Sequence, residues 1–179
     1  MSISLLVQIN NKWQETAKAY SVERYRNHIG QSTYKPLSPD HEYIGLLGEV
    51  AFSIAYALPL TWENLNGAGD ECDFRIGCIS IDIKTYRRPI SILCKQHKRH
   101  ADRIVLAKYI GDNAIKLIGW DYYEMIKQSQ PKDFGRGIIN HYREAEQLRD
   151  MKELEQHIER EKQNLCQQQS RYIVHTRNW

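Results

Sequence analysis

Hydrophobic positions along this chain change period several times, and each change marks an element. Between Lys12 and His28, Trp13, Ala17, Tyr20 and Arg24 fall three or four residues apart, which predicts a helix. Gly30 ends it, and a polar loop with Pro36 and Pro39 follows. Ser38-Pro39-Asp40 then reads as a helix start: a hydroxyl at the N-cap, proline at the first position, an acid in the first turn. The helix predicted from there runs to about Ala57, with Pro59 beyond its end. Ile44, Leu47, Val50, Ala51, Ile54 and Ala55 make it mostly apolar and therefore buried. Glu49 is the charge in its middle. It stands either against a partner or on a solvated edge of that helix.

From Cys72 to Lys84 the period drops to two, the alternation of strands with one buried face. Gly77-Cys78 at the centre suits a two-residue turn with glycine first. That turn pairs Ile76 with Ile79, Arg75 with Ser80, Phe74 with Ile81 and Asp73 with Asp82. Phe74, Ile76, Ile79, Ile81 and Ile83 then share one face; Asp73, Arg75, Ser80, Asp82 and Lys84 share the other. A basic stretch follows to Arg103. Two more strands are predicted over Ile104–Ile110 and Ala114–Trp120, joined at Gly111-Asp112-Asn113. Asp121-Tyr122-Tyr123-Glu124 looks like a capping box before a short helix. Asp150-Met151-Lys152-Glu153 looks like another, before a longer helix that reaches about Gln168. Arg171 to Trp179 reads as a short strand or an arm.

The hairpin register has a chemical consequence. Carboxylates directly opposite one another have Cβ atoms about 4.5–5.5 Å apart, which is unfavourable unless something neutralises them. A hard divalent cation such as Mg²⁺ would, taking oxygens from one or two carboxylates and from substrate phosphates. Lys84, two residues beyond Asp82 on the same face, adds an ammonium able to contact a phosphate. A polar strand face is also the ordinary solvated side of a sheet, and an Asp-x-Lys triplet alone is common. The conjunction points to chemistry: an acid in an apolar helix, two facing acids on a hairpin, and a same-face lysine.

Gly48-Glu49, Asp73 and Asp82-Ile83-Lys84 together resemble the PD-(D/E)xK nuclease superfamily. Its core has a helical Glu, a strand-borne Asp and an acid-x-Lys triplet on the next strand. Gly69-Asp70-Glu71-Cys72-Asp73-Phe74 and Ile81-Asp82-Ile83-Lys84-Thr85 are similar to small members found in phages and microbes. The resemblance spans residues 38–126, about half of the chain. Cys72 stands where the motif's name has proline, and Asp82 is shorter than the commoner Glu. The resemblance implies an α/β fold: a restriction-endonuclease-like core with a central mixed β-sheet flanked by helices, plus an extra C-terminal helix. The whole chain, 1–179, is then one domain, with an N-terminal helix within 1–30 and a helical extension over 145–179. The implied activity is endo- or exonucleolytic hydrolysis of nucleic-acid phosphodiester bonds, DNA above all, with Mg²⁺ or Mn²⁺ in its place. Glu49, Asp73 and Asp82 would hold the ion, with the Ile83 carbonyl as a further ligand. Lys84 would position the attacking water and stabilise developing negative charge. The superfamily also contains inactive binders. The alternative is therefore a catalytically silent or partner-dependent nucleic-acid-binding protein of the same fold.

Charge along the chain adds a substrate side. Residues 40–82 hold eight acids and one base, and residues 84–103 hold seven bases and one acid. Acids gathered at a metal beside bases that grip a polyanion would produce this boundary, and phosphate contacts of that kind are salt-sensitive. The candidate contacts are Arg87, Arg88, Lys95, Lys98 and Arg99, against the plainer reading of a solvated basic loop. His97 and His100 lack zinc-type spacing and add to the basic face. The net charge of +3 conceals this division.

Composition narrows the rest. A length of 179 residues, 41% hydrophobic and 26% charged, suits one soluble domain. No apolar run approaches a membrane span, and Met1–Asn10 lacks the features of a signal peptide. The four cysteines (Cys72, Cys78, Cys94, Cys166) form no CxxC pair, which favours reduced thiols and a cytoplasmic setting. Trp13, Trp62 and Trp120 are expected in the core rather than as base-stacking platforms. The C-terminal helix either packs on the core or mediates a homodimer. Assembly with phage, mobile-element or defence partners is the remaining partner expectation.

Overall fold

The computed structural model describes residues 4–28, 38–60, 62, 72–96, 101–111, 113–134 and 137–176. Two long helices come first after a short strand: β1 (Leu5–Gln8), α1 (Asn11–His28) and α2 (Pro39–Tyr56). Ser38 caps α2 as its sequence requires. The Ser38 Oγ accepts the His41 N–H at 3.3 Å, and Asp40 and Glu42 lie in the first turn, where the helix dipole favours acids. Ala57 closes the helix in the left-handed region (φ 48°), and its N–H returns to the Ser53 carbonyl.

The hairpin folds in the expected register. β2 (Phe74–Ile76) and β3 (Ile79–Tyr86) pair Ile76 with Ile79, Arg75 with Ser80 and Phe74 with Ile81. Gly77 supplies the positive φ (55°) that the tight turn needs. The central sheet is mixed, with strand order β1-β6-β5-β3-β2, where β5 is Arg103–Gly111 and β6 is Ala114–Tyr122. Among the described strands of this sheet only β3 and β5 run parallel, so the chain between them must cross over. That crossing contains a strand, β4 (Ser91–Lys95), where the sequence suggested only a basic stretch. β4 joins β7 (Lys132–Asp133) and β8 (Ile139–Glu144) in a second sheet of order β4-β8-β7. The pattern across 127–149 is too short and polar to announce these strands. Likewise Leu5-Leu6-Val7 forms an edge strand of the central sheet.

Alternate residues of the sheet enter two cores. Ile81, Ile83, Val105 and Ala107 pack with Leu46, Leu47, Val50 and Ala51 of α2 and with Met151, Leu154 and Ile158 of α4 (Met151–Thr176). Ile104 and Leu106 point the other way, to Ile92, Cys94, Ala101, Leu148 and Ile126; the last belongs to α3 (Tyr123–Ile126). The polar face of the hairpin is therefore not simply solvated. Ser80 is buried, and its Oγ donates to Asp102 at 2.8 Å. Trp120 is fully buried; Trp13 and Trp62 pack partly buried against the core. The first half of α4 packs on the core, while residues 163–168 are exposed.

Two terminal expectations change. Asp121 does not cap α3. Tyr122 is the N-cap residue there, with no side-chain cap bond. The Asp121 carboxylate, 1% exposed, instead pairs with Arg143 Nε at 2.9 Å and Arg149 Nε at 3.2 Å. Its Oδ1 also accepts the Tyr122 N–H at 2.9 Å, so the carboxylate is held by its own strand and two arginines and not by the first turn of α3. Asp150 does cap α4, accepting the Lys152 N–H at 2.9 Å. That helix continues to Thr176, so most of the expected strand or arm is helical, and residues 177–179 lie outside the described residues. No helix among the described residues is long and apolar enough to cross a membrane.

Candidate active site

A length mismatch between two strands makes the site. β3 has eight residues and its edge partner β2 only three. Pairing stops at Phe74, so Asp73 and Asp82 are not the regular cross-strand pair that the turn geometry predicted. Asp73 turns its carboxylate into the gap and accepts the Ile83 N–H at 2.6 Å, while its own N–H bonds the Ile81 carbonyl at 2.9 Å. A side chain thus replaces the missing strand. Backbone polar groups alternate direction along a strand, so the Ile83 carbonyl faces that same edge.

Helix α2 brings Glu49 to this gap. Gly48, just before it, lets the helix lie close on β3. A Cβ there would overlap Thr85 Oγ1 and stand 3.0 Å from Thr85 Cβ and 3.4 Å from Ile83 Cγ2. Glu49 is buried, not on a solvated edge. Its Oε2 accepts the indole N–H of Trp62 at 2.7 Å, and its Oε1 faces Arg24 Nη1 at 3.3 Å. Arg24 Nε also faces Glu42 Oε2 at 3.6 Å. On β3, Lys84 Nζ stands 2.5 Å from Asp82 Oδ2.

Electrostatics show that these groups share one environment. Burial pushes the Asp73 carboxyl well above the usual range, and the nearby Glu49 and Asp82 charges push it further. Burial also raises Glu49, against the opposing pull of Arg24 and Trp62, with Asp82 adding to the rise. Burial disfavours the Lys84 ammonium, yet Asp82 and Asp73 outweigh it and hold Lys84 protonated above its usual value. Burial lifts the Cys94 thiol to about 12, opposed by Lys84, so β4 borders the same pocket of charge. Among the described residues, no three His, Cys, Asp or Glu side chains are already grouped as a metal cage. Ion pairs with Arg24 and Lys84 engage the acids instead. Glu49, Asp73 and Asp82 nonetheless present hard carboxylate oxygens, the donor type that a divalent ion takes.

The structure brings together Glu49, Asp73, Asp82, Ile83 and Lys84. The basic candidates are more scattered. Arg87 clamps Asp40 at the start of α2 with contacts of 2.9 and 3.0 Å and lies over the Tyr109 ring. Arg88 and Lys95 are exposed, and Lys98 and Arg99 lie outside the described residues, as do His97 and His100. Sequence reasoning missed Arg24, Glu42 and Trp62 as neighbours of Glu49. A signal existed: Arg24 continues the Trp13-Ala17-Tyr20 stripe of α1, as Glu49 interrupts the apolar α2. Charges on two facing apolar stripes need one another. Neither the sequence nor the fold leads to a relative: no family model, no curated protein and no solved structure matches this chain.

Proposed function

We propose that this protein is a metal-dependent nuclease that hydrolyses phosphodiester bonds of nucleic acid, DNA in preference, on a restriction-endonuclease-like core. The observation that carries the proposal is that Glu49, Asp73 and Asp82, from three separate segments, lie within one another's electrostatic reach, with Lys84 at the unpaired edge of β3. Glu49, Asp73, Asp82 and the Ile83 carbonyl would hold Mg²⁺ or Mn²⁺. When bound, such an ion polarises a phosphate and makes a water nucleophilic near neutral pH. Lys84 is held protonated, so its role is to orient the attacking water and donate to the phosphate oxygen that gains charge. Arg88 and Lys95, both exposed, would contact backbone phosphates. All four cysteines are free thiols, which agrees with a cytoplasmic setting.

A specific observation favours a second reading. Arg24 and Lys84 already engage Glu49 and Asp82, as they would in a silent nucleic-acid-binding protein or one awaiting a partner or second copy. Plasmid and oligonucleotide digestion with Mg²⁺ or Mn²⁺, with a chelator control, separates the two. The nuclease reading expects chelator-sensitive cleavage that Asp82→Ala and Lys84→Ala each abolish while circular dichroism shows an intact fold. Cleavage at unchanged rates in both variants would refute it. Metal binding without cleavage would establish the silent or partner-dependent form.

A further inference from the structure

Arg24 stands in an unusual relation to the acids. One guanidinium faces two carboxylates, Glu42 at 3.6 Å and Glu49 at 3.3 Å, and lies within the field of Asp73. These contacts are longer than the 2.7–2.9 Å of a committed charge-assisted bond. Arg87 holds Asp40 more closely, at 2.9 and 3.0 Å, while Arg149 meets Asp121 at 3.2 Å and Glu153 at 3.3 Å. The arginine side chain is 36% exposed, whereas the Glu42 and Glu49 side chains are 7% and 11% exposed. A long, partly exposed cation on α1 can swing its head into water while its stem stays packed. The acids cannot follow it. Trp62 fixes the other oxygen of Glu49, and the Ile83 N–H fixes Asp73.

We propose that Arg24 is a tethered counter-cation that occupies the acidic side of the site and must give way when a divalent ion binds. This inference rests on the cation site proposed above and concerns how that site is kept when metal-free. The tether lowers affinity for the divalent ion, because binding must displace a charge that is already present. It also keeps Glu42, Glu49 and Asp73 together when no ion is there. An ordinary structural ion pair would do the second and not the first.

The test is Mn²⁺ binding to the full chain, by titration calorimetry and by the shift in thermal midpoint, well above the carboxylate range of pH. Arg24→Gln removes the charge and keeps much of the stem. It is expected to bind Mn²⁺ about tenfold more tightly, since an opposing charge within a few ångströms has gone. Its metal-free midpoint is expected to fall and its Mn²⁺-induced rise to grow. Arg24→Lys, a second variant should Arg24→Gln not fold, is expected to tighten binding by a smaller factor because one ammonium cannot span two acids. A lowered midpoint with unchanged or weaker Mn²⁺ affinity in both variants would overturn the proposal and leave Arg24 a structural ion pair. Asp82→Asn keeps the two failures apart. If wild-type binding depends on Asp82 and neither Arg24 variant tightens it, the counter-cation alone falls. If wild type shows no Asp82-dependent binding, the cation site falls and takes the counter-cation with it.

Discussion

Gly48→Ala should weaken the protein even though alanine is the better helix former. The added methyl would overlap Thr85 Oγ1 and stand 3.0 Å from Thr85 Cβ, and neither is the loose end of a long chain. Thr85 is β-branched and fixed in β3, so rotating its χ1 exchanges one clash for another. The helix must therefore lift from the strand. Overpacking of this kind costs about 3 kcal/mol at the upper end of its range. Replacing an interior helical glycine by alanine returns about 1 kcal/mol. The net loss is about 2 kcal/mol, or about 4–8 °C in thermal midpoint for a chain of this size. Urea unfolding of Gly48→Ala, Thr85→Ala and the double variant measures it. The Thr85 hydroxyl is buried with no hydrogen-bond partner, so removing it alone should cost little. In the Thr85→Ala background the Gly48→Ala loss should shrink by about 1 kcal/mol or more, as expected of touching residues. A Gly48→Ala protein as stable as wild type, or a loss unchanged by Thr85→Ala, would refute the close approach of α2 to β3. Because Glu49 follows Gly48, the single variant should also bind Mn²⁺ more weakly.

Asp73→Asn should stabilise the metal-free protein by on the order of 1 kcal/mol, because it removes a buried charge beside Glu49 and Asp82 and leaves an oxygen to accept the Ile83 N–H. Since the folded pKa of Asp73 is raised, the folded state binds more protons than the unfolded chain between the ordinary carboxylate value and the raised one. Wild-type stability should therefore increase as pH falls through that window, and Asp73→Asn should flatten the trend in thermal melts. An unchanged slope would contradict the shared acidic environment. Near the C-terminal end of β6, Asp121→Asn should cost about 1–2 kcal/mol, since the arginines it releases are partly exposed. Replacing both Arg143 and Arg149 by Met should cost more, about 3 kcal/mol, because it strands a buried anion. Denaturant curves that reverse this order would show that Asp121 is not the buried partner.

Local chemistry explains what could be read before the fold was seen. The start of α2 follows from Ser38-Pro39-Asp40, and the hairpin register follows from Gly77-Cys78 and the period-two isoleucines. In each, the decisive groups lie within a few residues of one another. The candidate site was legible to the same degree. Asp82 and Lys84 share a face because they are two apart on a strand, and Glu49 stood out as a charge among apolar neighbours. The expected Asp73–Asp82 pair failed because strand length is a tertiary outcome: β2 stops at Phe74, and a side chain completes the ladder.

What the amino-acid sequence by itself determined is therefore the set of elements whose periodicity and caps are local, and the acids and lysine that could meet. Packing of distant segments is what brings them within one another's electrostatic reach, and it also supplies their partners. Arg24 reaches Glu42 and Glu49 because α1 packs on α2, a contact between distant segments that no spacing encodes. Residues near β4 cover the far face of β5 because a parallel pair of strands requires a crossover, and the described part of this crossover holds a strand. The same packing turned Asp121 from a helix cap into the buried anchor of two arginines. Burial, which raises the Glu49 and Asp73 carboxyls at the candidate site, belongs to the assembled protein because desolvation depends on what lies on top.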